Sequence, residues 1–232
     1  MMVLALSTLS AQAQTPQLTA LLGKMDAASR QFKSATANFQ WDYYEKVVHD
    51  TSTQTGSIYF KRDGGNVDMG AVIVGADPLN PGSKPTVQTV LQYRGDELQL
   101  FNTGPDQIQV FHAGGNQAQY EEFLTLGFGG SGSDLAKAWN ITDQGPETMN
   151  DDGKPVKVEK LDLVGKTPES RKSITHVTVW VDAERGVSLK QVFYQTGGNV
   201  RTATYTNIRL NSAVDMAKFA IKKDKNTTVI QH

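Results

Sequence analysis

The 232-residue chain contains no cysteine. That absence excludes disulfides, thiolate-ligated zinc or iron–sulfur centres, thiol nucleophiles and a lipid anchor on an N-terminal cysteine. An excess of one charge is lacking as well: 23 Lys and Arg stand against 24 Asp and Glu, for a net charge of −1. Phosphate binding needs a clear basic surplus, so nucleic acid is not an expected partner. Histidine is scarce, and His49, His112, His176 and His232 are dispersed, none at H-x-x-x-H spacing. No metal and no cofactor is therefore expected. There is no G-x-S-x-G elbow and no P-loop. No apolar run approaches the ~18 residues of a membrane-spanning helix. Hydrophobic residues make up 38%, and glycine brings the apolar share to about 47%, an ordinary globular proportion of ~45–50%.

What is present begins with MMVLALSTLSAQA. The short apolar core and the Ala11-Gln12-Ala13 small-x-small site predict a secretory signal peptide over 1–13, although its positively charged start is missing. Residues 14–232 show no linker and no repeat, which predicts one exported domain. Leu18, Leu21, Leu22, Met25, Ala28 and Phe32 recur at helical spacing, with Lys24, Ser29 and Lys33 assigned to the opposite face. An amphipathic helix over 16–33 follows, with Pro16 in its first turn.

The period then changes to two. Ala37, Phe39, Trp41 and Tyr43 alternate with polar residues, as do Ile58 and Phe60. Eight further runs (66–74, 87–93, 97–101, 107–111, 155–164, 174–181, 187–195 and 200–210) bring the predicted strands to about ten, separated by glycine-rich turns and antiparallel by their closeness. Residues 75–85, with three prolines, read as a surface loop. Residues 119–139 read as two short helices around a glycine loop, and 214–219 as a last helical turn. The expected class is α+β: a curved antiparallel sheet with a few helices on one face.

Two motifs are weak. Gly127-Phe-Gly-Gly-Ser-Gly132 matches G-x-G-x-x-G, but a dinucleotide site needs a preceding buried strand and a parallel βαβ unit, and neither is expected here. Arg94-Gly95-Asp96 reads as a tight turn between strands. The aromatic strand faces are more informative. Phe39, Trp41 and Tyr43 share one face; Ile58 and Phe60 share another, and Arg62 continues that alternation. These side chains are either a core packed under the helices or the lining of a cavity with Arg62 at its rim.

Several segments, in order along the chain, are similar to the periplasmic outer-membrane lipoprotein carrier family, the LolA-like proteins. They are Ser34-Ala-Thr-Ala-Asn-Phe39, Gly56-Ser-Ile-Tyr-Phe-Lys-Arg62, Tyr93-Arg-Gly-Asp-Glu-Leu-Gln-Leu-Phe-Asn102, Val179-Trp-Val-Asp182 and Ala213-Val-Asp-Met-Ala-Lys-Phe219. The resemblance implies an unclosed β-barrel of ten to eleven strands with an N-terminal helix and a helical lid over a hydrophobic cavity. It implies a soluble periplasmic monomer, not an enzyme. Such a protein takes acylated lipoproteins from an inner-membrane transporter, shields their acyl chains and delivers them to an outer-membrane receptor. Arg62 stands where the family latches its lid. Phe39, Trp41, Tyr43, Ile58, Phe60, Leu91, Leu98 and Leu100 are the candidate cavity residues. Phe123, Leu124, Leu126, Phe128, Leu135 and Trp139 are the candidate lid. The 75–85 insertion, Asp63 in place of a common proline and the glycine-rich lid depart from the family pattern. They leave open a periplasmic carrier or sensor of other lipids or glycolipids on the same fold; an envelope hydrolase built on scattered His and Asp, with His112 or His176, is the remaining alternative.

Overall fold

The chain commits to a helix where Thr15 supplies an N-cap: its hydroxyl accepts the Leu18 N–H at 3.2 Å, and Pro16 occupies the first turn. In the computed structural model, which describes residues 15–63, 66–76, 82–112 and 126–232, this helix is α1, Pro16–Gln31. It ends when Phe32 adopts an extended backbone and turns its ring into the core. Its buried stripe is Leu18, Leu21, Leu22, Met25 and Ser29. Ser29 therefore faces inward, not toward solvent as its polarity suggested.

Twelve strands follow. They are β1 (Ser34–Glu45), β2 (Asp50–Asp63), β3 (Asn66–Gly75), β4 (Thr86–Arg94), β5 (Glu97–Asn102), β6 (Gln107–His112), β7 (Trp139–Asp151), β8 (Lys154–Gly165), β9 (Ile174–Asp182), β10 (Val187–Gln195), β11 (Val200–Leu210) and β12 (Thr228–Gln231). They form one sheet in the order β12-β6-β5-β4-β3-β2-β1-β11-β10-β9-β8-β7. Every pairing is antiparallel except β12 on β6. The sheet does not close on itself, and the fold is an unclosed barrel carrying helices, as expected. Strands β7 and β12 are additions to the ten read from the sequence. Trp139 opens β7 rather than ending the second helix, α2 (Gly132–Ala138). The predicted signal peptide, the Gly64-Gly65 turn, residues 77–81 of the 75–85 loop, and Phe123 and Leu124 of the candidate lid lie outside the described residues.

Register decides which side chains share a face, because directly opposed residues point the same way. One row runs Ala35, Phe60, Met69, Tyr93, Leu98; the next runs Ala37, Ile58, Ala71, Leu91, Leu100; the third runs Phe39, Gly56, Ile73, Thr89, Asn102. Trp41 and Tyr43 continue this inner face and oppose Ala203 and Arg201 of β11. The helices cover one end of the same face. Leu18, Leu21, Leu22 and Met25 pack with Leu135, Trp139, Leu161, Leu163, Val177 and Val179. On the outer face, a single 3₁₀ turn, Met216–Phe219, seats Phe219 against Tyr59, Val72, Val90 and Phe101.

Candidate functional site

The segment leading into α2 reads Leu126-Gly-Phe-Gly-Gly-Ser131. Phe128 is its anchor. The ring is 1% exposed, stacked on Phe60 at 4.4 Å and edge-on to Tyr205 at 4.9 Å. The backbone beside it bridges to β10: Phe128 pairs with Val187, and the Ser188 N–H donates to the Gly127 carbonyl at 2.8 Å. The glycines here serve close packing. Gly129 has φ +78°, and a Cβ on it would lie 2.5 Å from the Phe32 ring; a Cβ on Gly132 would lie 2.2 Å from the Leu22 carbonyl oxygen. The G-x-G-x-x-G spacing thus fits α1 against this segment, and the strand it meets is antiparallel.

Arg62 fastens the segment. Its alternation with Ile58 and Phe60 puts the guanidinium on the inner face. Nη2 donates to the Gly129 carbonyl at 2.6 Å and lies 3.4 Å from Ser29 Oγ. Ser29 Oγ itself donates to the same carbonyl at 2.7 Å. One backbone oxygen is thus held by a cation from β2 and a hydroxyl from α1. The guanidinium carbon also lies 5.8 Å from the Phe32 ring centre. Ser29 is the residue that the sequence reading missed. Its spacing of four from Met25 and seven from Leu22 was the available signal.

Helix α2 is docked by acids. The Ser131 hydroxyl accepts the Asp134 N–H at 3.0 Å and donates to its carboxylate at 2.7 Å. Asp26 of α1 accepts from the Ser133 N–H and hydroxyl at 2.9 and 2.7 Å. Burial pushes the Asp26 carboxyl up, but these two Ser133 bonds outweigh it and hold the group below its ordinary value. The Ser131 hydroxyl and Lys137 do the same for Asp134.

Two cavities flank this packing. One of about 360 Å³ lies under residues 126–131, lined by Met25, Ser29, Arg62, Val67, Leu135 and Trp139 among others. The other, about 460 Å³, opens at the far end of the β1–β2 hairpin. Trp41, Tyr43, Ile73, Leu91 and Leu100 line it with Ser52, Gln54, Thr89, Asn102, Gln195 and Arg201. The candidate cavity residues thus divide. Trp41, Tyr43, Leu91 and Leu100 line open space, whereas Phe39, Ile58 and Phe60 are buried in the core between the two cavities, and Leu98 packs against that core. Phe39 bridges the groups, stacked on Trp41 at 4.1 Å. Of the candidate lid residues, Phe128 joins this core, and Leu126, Leu135 and Trp139 join the α1 cluster.

The histidines do not converge. His176 stacks on Tyr194 near Asp162, His232 stacks on Phe111, and His49 bonds Tyr44. His112 and His176 lie on β6 and β9, toward opposite ends of the sheet. Among the described residues, no three metal-ligating side chains gather, and no helix is long and apolar enough to cross a membrane.

The chain is similar in structure to an uncharacterized conserved protein from Thermus thermophilus, with 10% identity over 93% of this chain and 99% of that one and a TM-score of 0.52. Solved structures of the family it resembles in sequence are also among its matches. A putative outer membrane lipoprotein-sorting protein domain from Vibrio parahaemolyticus shares 12% identity over 86% of this chain and 94% of that one, at a TM-score of 0.44. A LolA superfamily protein from Nitrosomonas europaea shares 15% over 90% and 99%, at 0.38. At these identities the likeness is one of fold. No family model and no curated protein matches the chain.

Proposed function

We propose that this chain is a periplasmic carrier that shields the acyl chains of lipoproteins on the inner face of its sheet. Residues 126–131 form the closing segment and Arg62 its latch; residues 14–232 act as one monomeric domain without catalysis. The observation that carries this reading is the fastening of Phe128. An aromatic plug fills the apolar inner face, yet a few polar bonds tie it down, from Arg62 and Ser29 to the Gly129 carbonyl and from the Ser188 N–H to the Gly127 carbonyl. Such bonds are worth about 1–3 kcal/mol net. The segment can therefore leave without the sheet unfolding.

Removal of Phe128 uncovers Phe60 and Tyr205, the two rings it packs against. From Arg62 to Ser52 the inner face spans ten residues of β2, roughly 33 Å at ~3.3 Å per residue. A lipid acyl chain covers about half of a ~30 Å hydrocarbon core, so it fits lengthwise. Sequestering on the order of ten CH₂ groups at ~0.8 kcal/mol each gives roughly 8 kcal/mol, near micromolar affinity. That holds a chain in water and still releases it. An inner-membrane transporter as donor and an outer-membrane receptor as acceptor complete the route.

The test mixes the purified chain with a detergent-solubilised triacylated lipoprotein, removes the detergent and examines the product by gel filtration and native mass spectrometry. A soluble stoichiometric complex is the expected result. Precipitated lipoprotein beside an empty carrier would overturn the reading. The Arg62→Leu variant should keep fold and uptake but alter release; normal delivery by that variant contradicts the latch.

A further inference from the structure

The open cavity at the β1–β2 end is chemically asymmetric. Its floor is apolar, from Ile73, Leu91, Leu100 and the Trp41 ring, while its rim carries hydroxyls, amides and one cation, Arg201. Arg201 opposes Tyr43 across the β1–β11 seam, and its guanidinium carbon lies 5.0 Å over the Trp41 ring. Among the described residues it has no hydrogen-bond or ion-pair partner, so the stacking orients the group and leaves its N–H donors free.

Two amides that line the same cavity have their oxygens engaged. Asn102 Oδ1 accepts from the Thr89 hydroxyl at 3.1 Å. Gln195 Oε1 accepts from the Tyr43 hydroxyl at 3.4 Å, and that hydroxyl accepts from Asn199 Nδ2 at 2.8 Å. With their oxygens engaged, both side chains present NH₂ groups. The carboxylate that lines the cavity, Asp42, is taken up by the Thr53 hydroxyl at 2.6 Å and by Gln40 Nε2 at 3.0 Å. Glu45 and Asp50 oppose each other at the exposed end of the hairpin. Donors and a cation above an apolar floor match one ligand chemistry, an acyl chain ending in an oxyanion.

We propose that this mouth selects acyl lipids with an anionic head group, received by Arg201 with Asn102 and Gln195 as supporting donors. The inference rests on the acyl-carrier reading and adds a head-group preference to it. The oxyanion is a phosphate or a carboxylate.

The experiment displaces the uncharged dye N-phenyl-1-naphthylamine from the purified chain with three ligands of one acyl length. These are 1-myristoyl-lysophosphatidylglycerol, myristate and uncharged 1-myristoyl-glycerol. The wild type should prefer at least one charged ligand over the uncharged one by about tenfold, the scale of one charge-assisted hydrogen bond. Whether lysophosphatidylglycerol or myristate leads tells phosphate from carboxylate. Arg201→Gln should erase the preference, Arg201→Lys should retain most of it, and added salt should shrink it. Equal displacement by charged and uncharged ligands, or a preference that survives Arg201→Gln, overturns the head-group site while acyl binding stands. Displacement by none of the three, with the dye bound, overturns the carrier reading as well.

Discussion

Replacing Arg62 by leucine tests the latch at its mechanical point. The substitution removes the Nη2 bond to the Gly129 carbonyl at 2.6 Å and keeps an apolar stem beside Phe32. A bond from a charged donor contributes about 1.5–3 kcal/mol net. The lower end applies, because Ser29 Oγ still donates to Gly129 at 2.7 Å and the carbonyl is not orphaned. About 1.5 kcal/mol corresponds to an open population raised roughly tenfold. Hydrogen exchange reads that population directly. The Ser188 amide donates to the Gly127 carbonyl and exchanges only when residues 126–131 lift away. Its protection should fall about tenfold in the variant. Unchanged protection at Ser188 would refute the latch.

Three further outcomes follow from the packing. Gly132→Ala places a methyl 2.2 Å from the Leu22 carbonyl oxygen, so α1 and α2 must separate; the urea midpoint should report a loss of about 1–3 kcal/mol. Arg185→Met strips the cation from two buried carboxylates, Asp182 at 2.6 Å and Asp151 at 2.8 Å, and should cost about 3–5 kcal/mol by the same assay; a loss under ~1 kcal/mol would contradict the pairing. Asp26 and Asp134 have folded pKa values below the ordinary 3.8. Their stabilisation is therefore complete above that value and is lost as pH falls through the depressed ones. Tm should drop on acidification below 3.8, and Asp26→Asn should flatten part of that slope.

The sheet was legible where one of its faces is buried. Alternation in 37–43 and 58–60 marks strands because every second side chain meets the core. Strand β7 carries no such pattern: it is an edge strand, largely exposed, with a register shift at Asp143/Gly145 followed by Pro146, a place where an edge tolerates proline. Strand β12 is four exposed residues whose place is set by how the chain returns past Phe219. Arg62 could be assigned to a face by counting along β2. Its partner could not, since the Gly129 carbonyl is a backbone atom and carries no residue identity. The division of the aromatic stripe into a filled part and an open part depends on where Phe128 inserts, a contact between distant segments.

The seam between β1 and β11 bears on how the chain reaches its native state. Ala35 pairs with Leu210 and Tyr43 with Arg201, so the middle of the sheet is made from the two ends of the sequence. As the polypeptide is synthesised from its N-terminus, β1 pairs early with β2 but waits for β11 until nearly all residues have emerged. Closing a loop of that size precedes the contacts that reward it, which makes the step slow. Until then one side of β1 is an unpaired edge carrying Phe39 and Trp41, an aggregation hazard. The nascent chain thus passes through a period in which this exposed apolar edge is itself in need of a chaperone.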